Sequence, residues 1–264
     1  MEIMAVIGFL ILSAGSLLAQ PPAARPAFDA FEVATIKPAP PDDKGGRFIR
    51  MQSAHVFAAK NYTLQALVMA AYNLNSRAVS GGPAWADTDR FDIVAAAPNE
   101  IRPNPDEQMA MLRKLLADRF QLTFHRERKE MPVYRLTVAK GGPKLKESAA
   151  APDEPPALIN VMFPGRVRLP ARNAAMAQFA SMMQRAVLDR PVVDQTGLSG
   201  RYDFDLEWTP DETQFGGQAP AGPEIPEKPD LFAAIQQQLG LKLEAARGQA
   251  EVLVIDRVVQ PSEN

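Results

Sequence analysis

The sequence has 264 residues, of which 46% are hydrophobic and 23% are charged. This length and apolar fraction suffice for one large or two small globular domains and exclude a collagen-like or wholly disordered chain. A net charge of -2 supplies no basic field, so we expect no nucleic-acid partner. With no Cys and only two His, the chain is poor in metal ligands, and we expect neither a metal nor another cofactor.

The N-terminus carries an apolar run from Ile3 to Ala19, followed by Gln20 and two prolines. Its length, and the small residues toward its end, are typical of a secretory signal peptide over residues 1–19. No later segment approaches the length of a membrane span. The pattern predicts an exported protein, periplasmic or extracellular, with an uncleaved N-terminal membrane anchor as the alternative.

Loop-like composition divides the remaining chain into two parts. A Pro- and Ala-rich stretch over residues 141–157 predicts a linker. Five Pro and three Gly predict an exposed loop over 209–229. We therefore expect a first folded unit over 28–140 and a second over 158–264.

Four segments show the apolar spacing of an amphipathic helix. They follow Thr63, Asn104, Asn173 and Asp230. Thr63 is a predicted N-cap, Asn104 precedes a proline in the first helical position, and Gly240 is a predicted C-cap. Each apolar stripe is interpreted as core packing.

Strands are predicted where polar and apolar residues alternate, as at 90–94 and 201–208. Residues 120–124 alternate likewise, and 133–138 and 252–255 are predicted as separate closing strands. The mixed charges of 125–130 then predict a solvated turn that contains His125.

The two units match in order along the chain. The triplet Arg-Phe-Asp at 90–92 recurs as Arg-Tyr-Asp at 201–203, and Asn61 corresponds to Asn173 as a predicted cap. We predict an α+β fold of two tandem repeats. Each repeat is a small strand-helix-strand-helix-strand-strand unit, with its helices packed on a short mixed sheet.

Several motifs identify a resemblance that covers nearly all of residues 28–264. They include Phe31-Glu32-Val33-Ala34-Thr35-Ile36-Lys37-Pro38, Ser80-Gly81-Gly82-Pro83-Ala84-Trp85, Gly200-Arg201-Tyr202-Asp203-Phe204 and Leu239-Gly240-Leu241-Lys242-Leu243-Glu244. On these motifs the chain resembles the uncharacterised "soil-associated protein" family, an exported bacterial domain of unknown function. Some relatives are fused to membrane metallopeptidases of the antibiotic-sensor type, so the resemblance implies an extracytoplasmic sensing or interaction role. Residues 174–256 are also similar to the short N-terminal domain of secretins and TonB-dependent receptors, which mediates protein contacts.

Catalytic motifs are incomplete in this sequence. Asp194-Gln195-Thr196-Gly197 interrupts the Asp-Thr-Gly pattern of aspartic proteases, and no G-x-S-x-G or phosphate-binding loop is present. For His125 the sequence indicates neither an orienting partner nor a nucleophile, both of which a general base requires. We therefore assign no catalytic residue and favour a protein that is not an enzyme.

The candidate binding surface consists of Trp85, Arg90, Asp92, Arg201 and Asp203. Trp85 follows a Gly-Gly-Pro turn and is either an exposed aromatic anchor or a buried plug. Each Arg and Asp pair shares one face of its strand. The pairs suit a carboxylate-bearing ligand, with cross-strand ion pairing as the structural alternative.

These features favour an exported protein that binds another protein, a peptide or a cell-wall fragment. The first alternative is a carboxylate-dependent hydrolase of the cell envelope, which would use two of Asp87, Asp89, Asp203 and Glu207 in one pocket. The second is a structural envelope protein. A groove between the two units, near Trp85 and residues 196–200, would support the binding interpretation.

Overall fold

The computed structural model describes residues 27–40, 46–151, 154–219, 222 and 228–262. The predicted signal peptide lies outside the described residues, as do parts of the predicted 209–229 loop. Within these ranges, no helix is long and apolar enough to cross a membrane. The fold is α+β, as predicted, with helices packed on antiparallel and mixed sheets.

The N-terminal half, up to residue 140, contains an antiparallel first sheet of order β1-β5-β3-β2. Its elements in chain order are β1 (Val33–Pro38), β2 (Phe48–Met51), β3 (Val56–Thr63), α1 (Leu64–Tyr72), a 3-10 turn (Ser76–Ala78), β4 (Val79–Gly81), α2 (Trp85–Thr88), β5 (Arg90–Ala96), α3 (Pro105–Arg119) and β6 (Thr123–Val138). Side chains of α1, α3 and the first sheet form the first core.

The C-terminal half contains a second sheet of order β7-β12-β10-β8, to which β9 is added through β10. Its elements are β7 (Lys146–Glu147), β8 (Ala157–Leu158), β9 (Val161–Phe163), β10 (Arg166–Ala175), α4 (Met176–Ala186), β11 (Val192–Asp194), β12 (Arg201–Trp208), a 3-10 turn (Phe215–Gly217), α5 (Leu231–Leu239) and β13 (Leu241–Arg257). Strand β7 lies in the stretch predicted as a linker and pairs with β12, and β8 begins at the last residue of that stretch.

Local capping signals in the sequence place several helix ends. Thr63 accepts a hydrogen bond from the Ala66 amide at the start of α1, and Asn104 and Glu107 form a reciprocal capping box at the start of α3. Gly240 adopts the left-handed conformation that ends α5. The three predicted caps at Thr63, Asn104 and Gly240 are therefore confirmed.

The predicted break between residues 124 and 133 is wrong, because β6 is one continuous strand of 16 residues. It pairs antiparallel with β13, which is likewise continuous over 17 residues. Charged side chains in the middle pair across the two strands, including Arg126 with Glu251, and Arg247 with Glu130 at 3.1 Å. The polar run marks the solvated middle of a long strand rather than a turn.

The β6–β13 ribbon forms a central sheet of order β11-β6-β13-β4 and connects the two cores. Tyr134 and Leu136, near the end of β6, are buried in the second core. Leu253 and Ile255, near the end of β13, are buried in the first core. Each half therefore supplies a strand end that completes the core of the other half.

Polar contacts at the ends of α1 and α4 join the halves a second time. The buried side chain of Asn75 donates from Nδ2 to the carbonyl oxygens of Gln184, at 2.9 Å, and Leu188, at 3.2 Å. Arg77 and Asp189 form an ion pair at 3.1 Å. Together with the shared strands, these bonds fix the orientation of one half against the other.

Leu136→Ala is expected to destabilise the whole protein by about 2–5 kcal/mol, because it opens a cavity in the second core. Because the ribbon couples both cores, unfolding should remain a single transition. Urea unfolding followed by far-UV circular dichroism and by fluorescence measures this, since Trp85 and Trp208 lie in different halves. Val94→Ala, at an exposed position of the first sheet, is the control. Two separated transitions would contradict the coupling.

Candidate functional site

The repeated Arg-aromatic-Asp triplets each face a β-bulge in the neighbouring strand. The register shifts between Ala59 and Tyr62 on β3, and between Ala171 and Ala174 on β10. Within these bulges lie Asn61 (φ 59°) and Asn173 (φ 50°), in the left-handed region that Asn tolerates better than most residues. The two Asn are therefore bulge residues, and their prediction as helix caps is wrong.

Each triplet Asp stabilises the bulge opposite it. The backbone amide of Asn61 donates to Asp92 Oδ1 at 2.9 Å, and that of Asn173 donates to Asp203 Oδ1, also at 2.9 Å. Asp92 additionally forms an ion pair with Lys60 at 2.9 Å. Both carboxylates are therefore engaged in the fold.

The triplet Arg residues contact the same two Asn. Arg201 donates from Nη1 to the Asn173 carbonyl oxygen at 3.0 Å. Arg90 reaches the Asn61 carbonyl oxygen and Oδ1 only at 3.4 Å. Arg90 is thus the more loosely held of the two guanidinium groups.

The five predicted surface residues do not form one surface. Arg90 and Asp92 lie on the first sheet, whereas Arg201 and Asp203 lie on the second. Trp85 is half-buried at the margin of the first core, where its ring meets Phe91 edge-on at 6.3 Å between centroids. The arrangement fits the plug alternative for Trp85.

A pocket of about 300 Å³ lies at one end of the first sheet and includes Arg90. It is lined by Ile36, Lys37, Pro38, Ala39, Asp89, Arg90, Phe91, Gln260 and Pro261. We call it the Arg90 pocket. It lies between β1, β5 and the segment that follows β13, and not at the place between the halves that the sequence suggested.

The acidic group of the Arg90 pocket is hydrogen-bonded within the protein, whereas its two basic groups are exposed. The carboxylate of Asp89 accepts a hydrogen bond from Gln260 Nε2 at 2.7 Å, and from the Thr88 hydroxyl at 3.1 Å. Lys37 and Arg90 are both exposed. The pocket therefore presents two cations beside an acid that is already hydrogen-bonded.

The sequence did not predict that Lys37 and residues 260–261 line a pocket, of which 260–261 form the C-terminal wall. The C-terminal wall is set by a long-range contact, in which the Val259 amide donates to the Phe120 carbonyl oxygen at 2.8 Å. Lys37 alternates with Ile36 in β1, which was a usable signal for a side chain on the outer face. No local sequence pattern predicts the contact that residue 259 makes with residue 120.

The four carboxylates considered for a hydrolase are divided between the two halves of the chain. Asp87 and Asp89 belong to the N-terminal half, whereas Asp203 and Glu207 lie on β12. Glu207 forms ion pairs with Arg166 at 2.9 Å and Lys228 at 3.4 Å. Among the described residues, no group of three or more His, Asp and Glu could hold a metal ion.

His125 has a partner that the sequence did not reveal. Its Nδ1 lies 2.7 Å from Asp256 Oδ1, across the ribbon from β6 to β13. Ser80 carries a hydroxyl group on the same face of the central sheet. It lies on β4 and pairs with Val254 of β13, whose other neighbour on the β6 side is His125. Two strand spacings separate Ser80 from His125, about 10 Å, which is too far for proton transfer.

The pKa of Asp203 is lowered from its ordinary value. The largest cause is the hydrogen bond from the Asn173 amide, followed by one from the Ser148 side chain and by the positive charges of Arg172 and Lys146. These contacts favour the ionised carboxylate at neutral pH, whereas a general acid must be protonated. Asp203 is therefore unsuited to act as a general acid.

Asp203→Asn should destabilise the protein at neutral pH and make its stability less sensitive to acid. Because the folded-state pKa lies below the unfolded value, the stabilisation by Asp203 is present above about pH 4 and is lost as pH falls through the folded pKa. Urea unfolding between pH 7 and pH 2 measures both effects. Asp118→Asn, at an exposed helical position paired with Lys114, is the control. Parallel pH profiles for the wild type and Asp203→Asn would contradict this role.

Comparison with known protein families gives a match over residues 65–258, to the family described as "Protein of unknown function (DUF3738)". The chain matches no curated protein and no solved structure. The narrower likenesses, to soil-associated proteins and to the short N-terminal domain of secretins and TonB-dependent receptors, stay predictions.

Proposed function

Since the chain belongs to this family of unknown function, we propose its activity from its own residues: it is an exported binding protein that holds a carboxylate-bearing ligand in the Arg90 pocket. The observation that carries the proposal is the pair of exposed cations, Lys37 and Arg90, beside a carboxylate already hydrogen-bonded to Gln260. The ligand class is a peptide or cell-wall fragment with a free carboxylate.

The chemistry of the two cations suits a carboxylate. An Arg guanidinium can donate two parallel hydrogen bonds to the two oxygens of one carboxylate, and a Lys ammonium adds a mobile point charge. Pro38, which is exposed, and Pro261, which is partly exposed, supply apolar contact for the part of the ligand next to the carboxylate. The pocket volume is at the lower end for small-molecule sites, which favours a single terminal residue or a short peptide end.

In the C-terminal half, the chain itself passes beside the triplet Arg and the bulge. The Ser148 amide donates to the Arg201 carbonyl oxygen at 2.9 Å, as the Ala39 amide donates to that of Arg90 at 2.8 Å. The chain then continues across the bulge, where Asn173 Nδ2 donates to the Ala151 carbonyl oxygen at 3.2 Å. We propose the ligand site in the N-terminal half, where Lys37 and Arg90 line the pocket.

The same correspondences support the further proposal that the two halves arose by duplication. Both halves carry a left-handed Asn in a bulge, an Asp that accepts from its amide, and an equivalent backbone bond at the triplet Arg. Such a set of contacts is specific, because it requires the same residue types in the same three-dimensional relation. Export of the protein is supported by the apolar run from Ile3 to Ala19.

The binding proposal is favoured over the hydrolase alternative by the positions of the carboxylates. A glycosidase or an aspartic hydrolase requires two carboxyl groups in one site, with one of them kept protonated. Asp203 and Glu207 are instead engaged by cations or amides on the outer face of the second sheet. The structural-protein alternative predicts no ligand at all, so a binding measurement separates it from the proposal.

The proposal predicts that N-acetyl-Ala-Ala binds and that its C-terminal amide binds at least about tenfold more weakly, a difference of 1.4 kcal/mol. Titration calorimetry, with NMR shifts to locate the contact, measures both ligands. Lys37→Gln and Arg90→Gln should each weaken binding of the acid by a similar factor, because each removes a cation from the pocket. Rising salt should weaken it as well.

Arg201→Gln is the matched control, since it changes the equivalent Arg in the half that has no proposed ligand site. It should leave the affinity for the acid unchanged. Equal affinity for acid and amide would overturn the carboxylate assignment, and absence of binding by both would favour the structural alternative.

A further inference from the structure

The second sheet ends in an edge strand that is broken only at its centre. Residues 157–158 and 161–163 pair with β10 in one common register, with Leu158 opposite Ala171 and Phe163 opposite Arg166. Residues 157–163 therefore act as a single strand, which we call the apolar edge strand. Among the described residues, no strand pairs with its other side.

Within its seven residues, the apolar edge strand lacks the usual protection against strand addition, and prolines flank it at 155, 156 and 164. Natural edges carry Lys, Pro or inward-pointing charges that discourage pairing with another chain. None of the seven residues here is charged or Pro, and Ile159 and Met162 are 62% and 50% exposed. Val161 and Phe163 are also exposed. The edge thus offers unpaired backbone groups together with apolar side chains.

We propose that the apolar edge strand pairs antiparallel with the same strand of a second copy of this chain, about a two-fold axis at Asn160. In this register Ile159 lies opposite Val161 of the second copy, and Ala157 lies opposite Phe163 of the second copy. These are the four residues that face the outer side of the sheet, because they alternate with Leu158, Asn160 and Met162. In this register alone, each of the four residues lies opposite another of the four, which is the self-complementarity that an isologous interface requires.

The charges beside the strand permit this pairing. Arg166, Arg168 and Arg172 lie on β10 next to the apolar row, and each forms an ion pair with Glu207 or Asp205, at 2.9 to 3.3 Å. Across the seam, Arg166 would face Arg172 of the second copy at three strand spacings, about 14 Å. That distance exceeds the Debye length of about 8 Å at physiological salt, so repulsion is small.

A second strand fits this edge better than a membrane does. An anionic bilayer binds a patch through apolar residues and uncompensated cations together. Here Arg166 and Lys228 share Glu207, and Arg168 and Arg172 share Asp205, so the cations are compensated only in part. A bilayer, however, offers no hydrogen-bonding partner for the unpaired backbone groups of an edge strand, whereas a second strand does. The contact is short, so its area lies at the low end for protein interfaces and predicts a weak, concentration-dependent dimer.

Disulfide trapping tests the register directly, because the chain contains no Cys. Residues directly opposite in an antiparallel pair have Cα atoms about 4.5–5.5 Å apart, within the range that a disulfide spans. Asn160→Cys should therefore form a covalent dimer on mild oxidation of the intact protein. Val33→Cys, at an exposed position on the first sheet, should stay monomeric and is the control. Equal trapping of the two variants would overturn the proposal.

Sedimentation velocity over a series of protein concentrations tests the unmodified interface. The wild type should shift from monomer toward dimer, whereas Val161→Lys should remain monomeric with its urea unfolding unchanged. Val94→Lys places the same charge at an exposed position on an interior strand of the first sheet and should dimerise like the wild type. A wild type that stays monomeric up to about 500 μM, far above a weak Kd, would overturn the proposal. Binding of the monomer to phosphatidylglycerol vesicles that is lost in Val161→Lys would overturn it too, in favour of a membrane surface.

Discussion

The pairing of β6 with β13 is the interaction on which the remaining structure depends. Neither core is complete without it, since Tyr134 and Leu136 pack in the second core and Leu253 and Ile255 in the first. The apolar ends of each strand lie in the cores, and the charged middle crosses the solvated gap between them. Hydrophobic burial therefore acts at the two ends of the ribbon, while backbone hydrogen bonds and ion pairs hold its middle.

The repeated triplets have the same structural role in both halves. With the cores fixed in place, the Asp of each triplet secures a bulge that turns the chain from a strand into a helix. The two Arg then differ in their surroundings. Arg201 is held against Asn173 at 3.0 Å, whereas Arg90 faces the pocket beside Lys37. One sequence motif thus serves the fold in both halves, and we propose a binding role for its Arg in only one.

Local features could be predicted from the sequence, and long-range ones could not. The caps at Thr63, Asn104 and Gly240 depend on neighbours within a few residues, so their helices were found. The polar residues 126–130 look like a turn until β13, more than 100 residues away, supplies their hydrogen-bond partners. Likewise, the Arg90 pocket takes one wall from residues 260–261, and His125 takes its partner from residue 256.

Separate expression of residues 27–140 and 141–264 tests the interlocked arrangement most directly. Each fragment lacks the strand end that completes its core, and each exposes apolar residues that belong in the other core. We predict that neither fragment alone shows a cooperative unfolding transition, and that an equimolar mixture recovers the circular dichroism and the single transition of the intact chain. A fragment that unfolds cooperatively by itself would contradict the account.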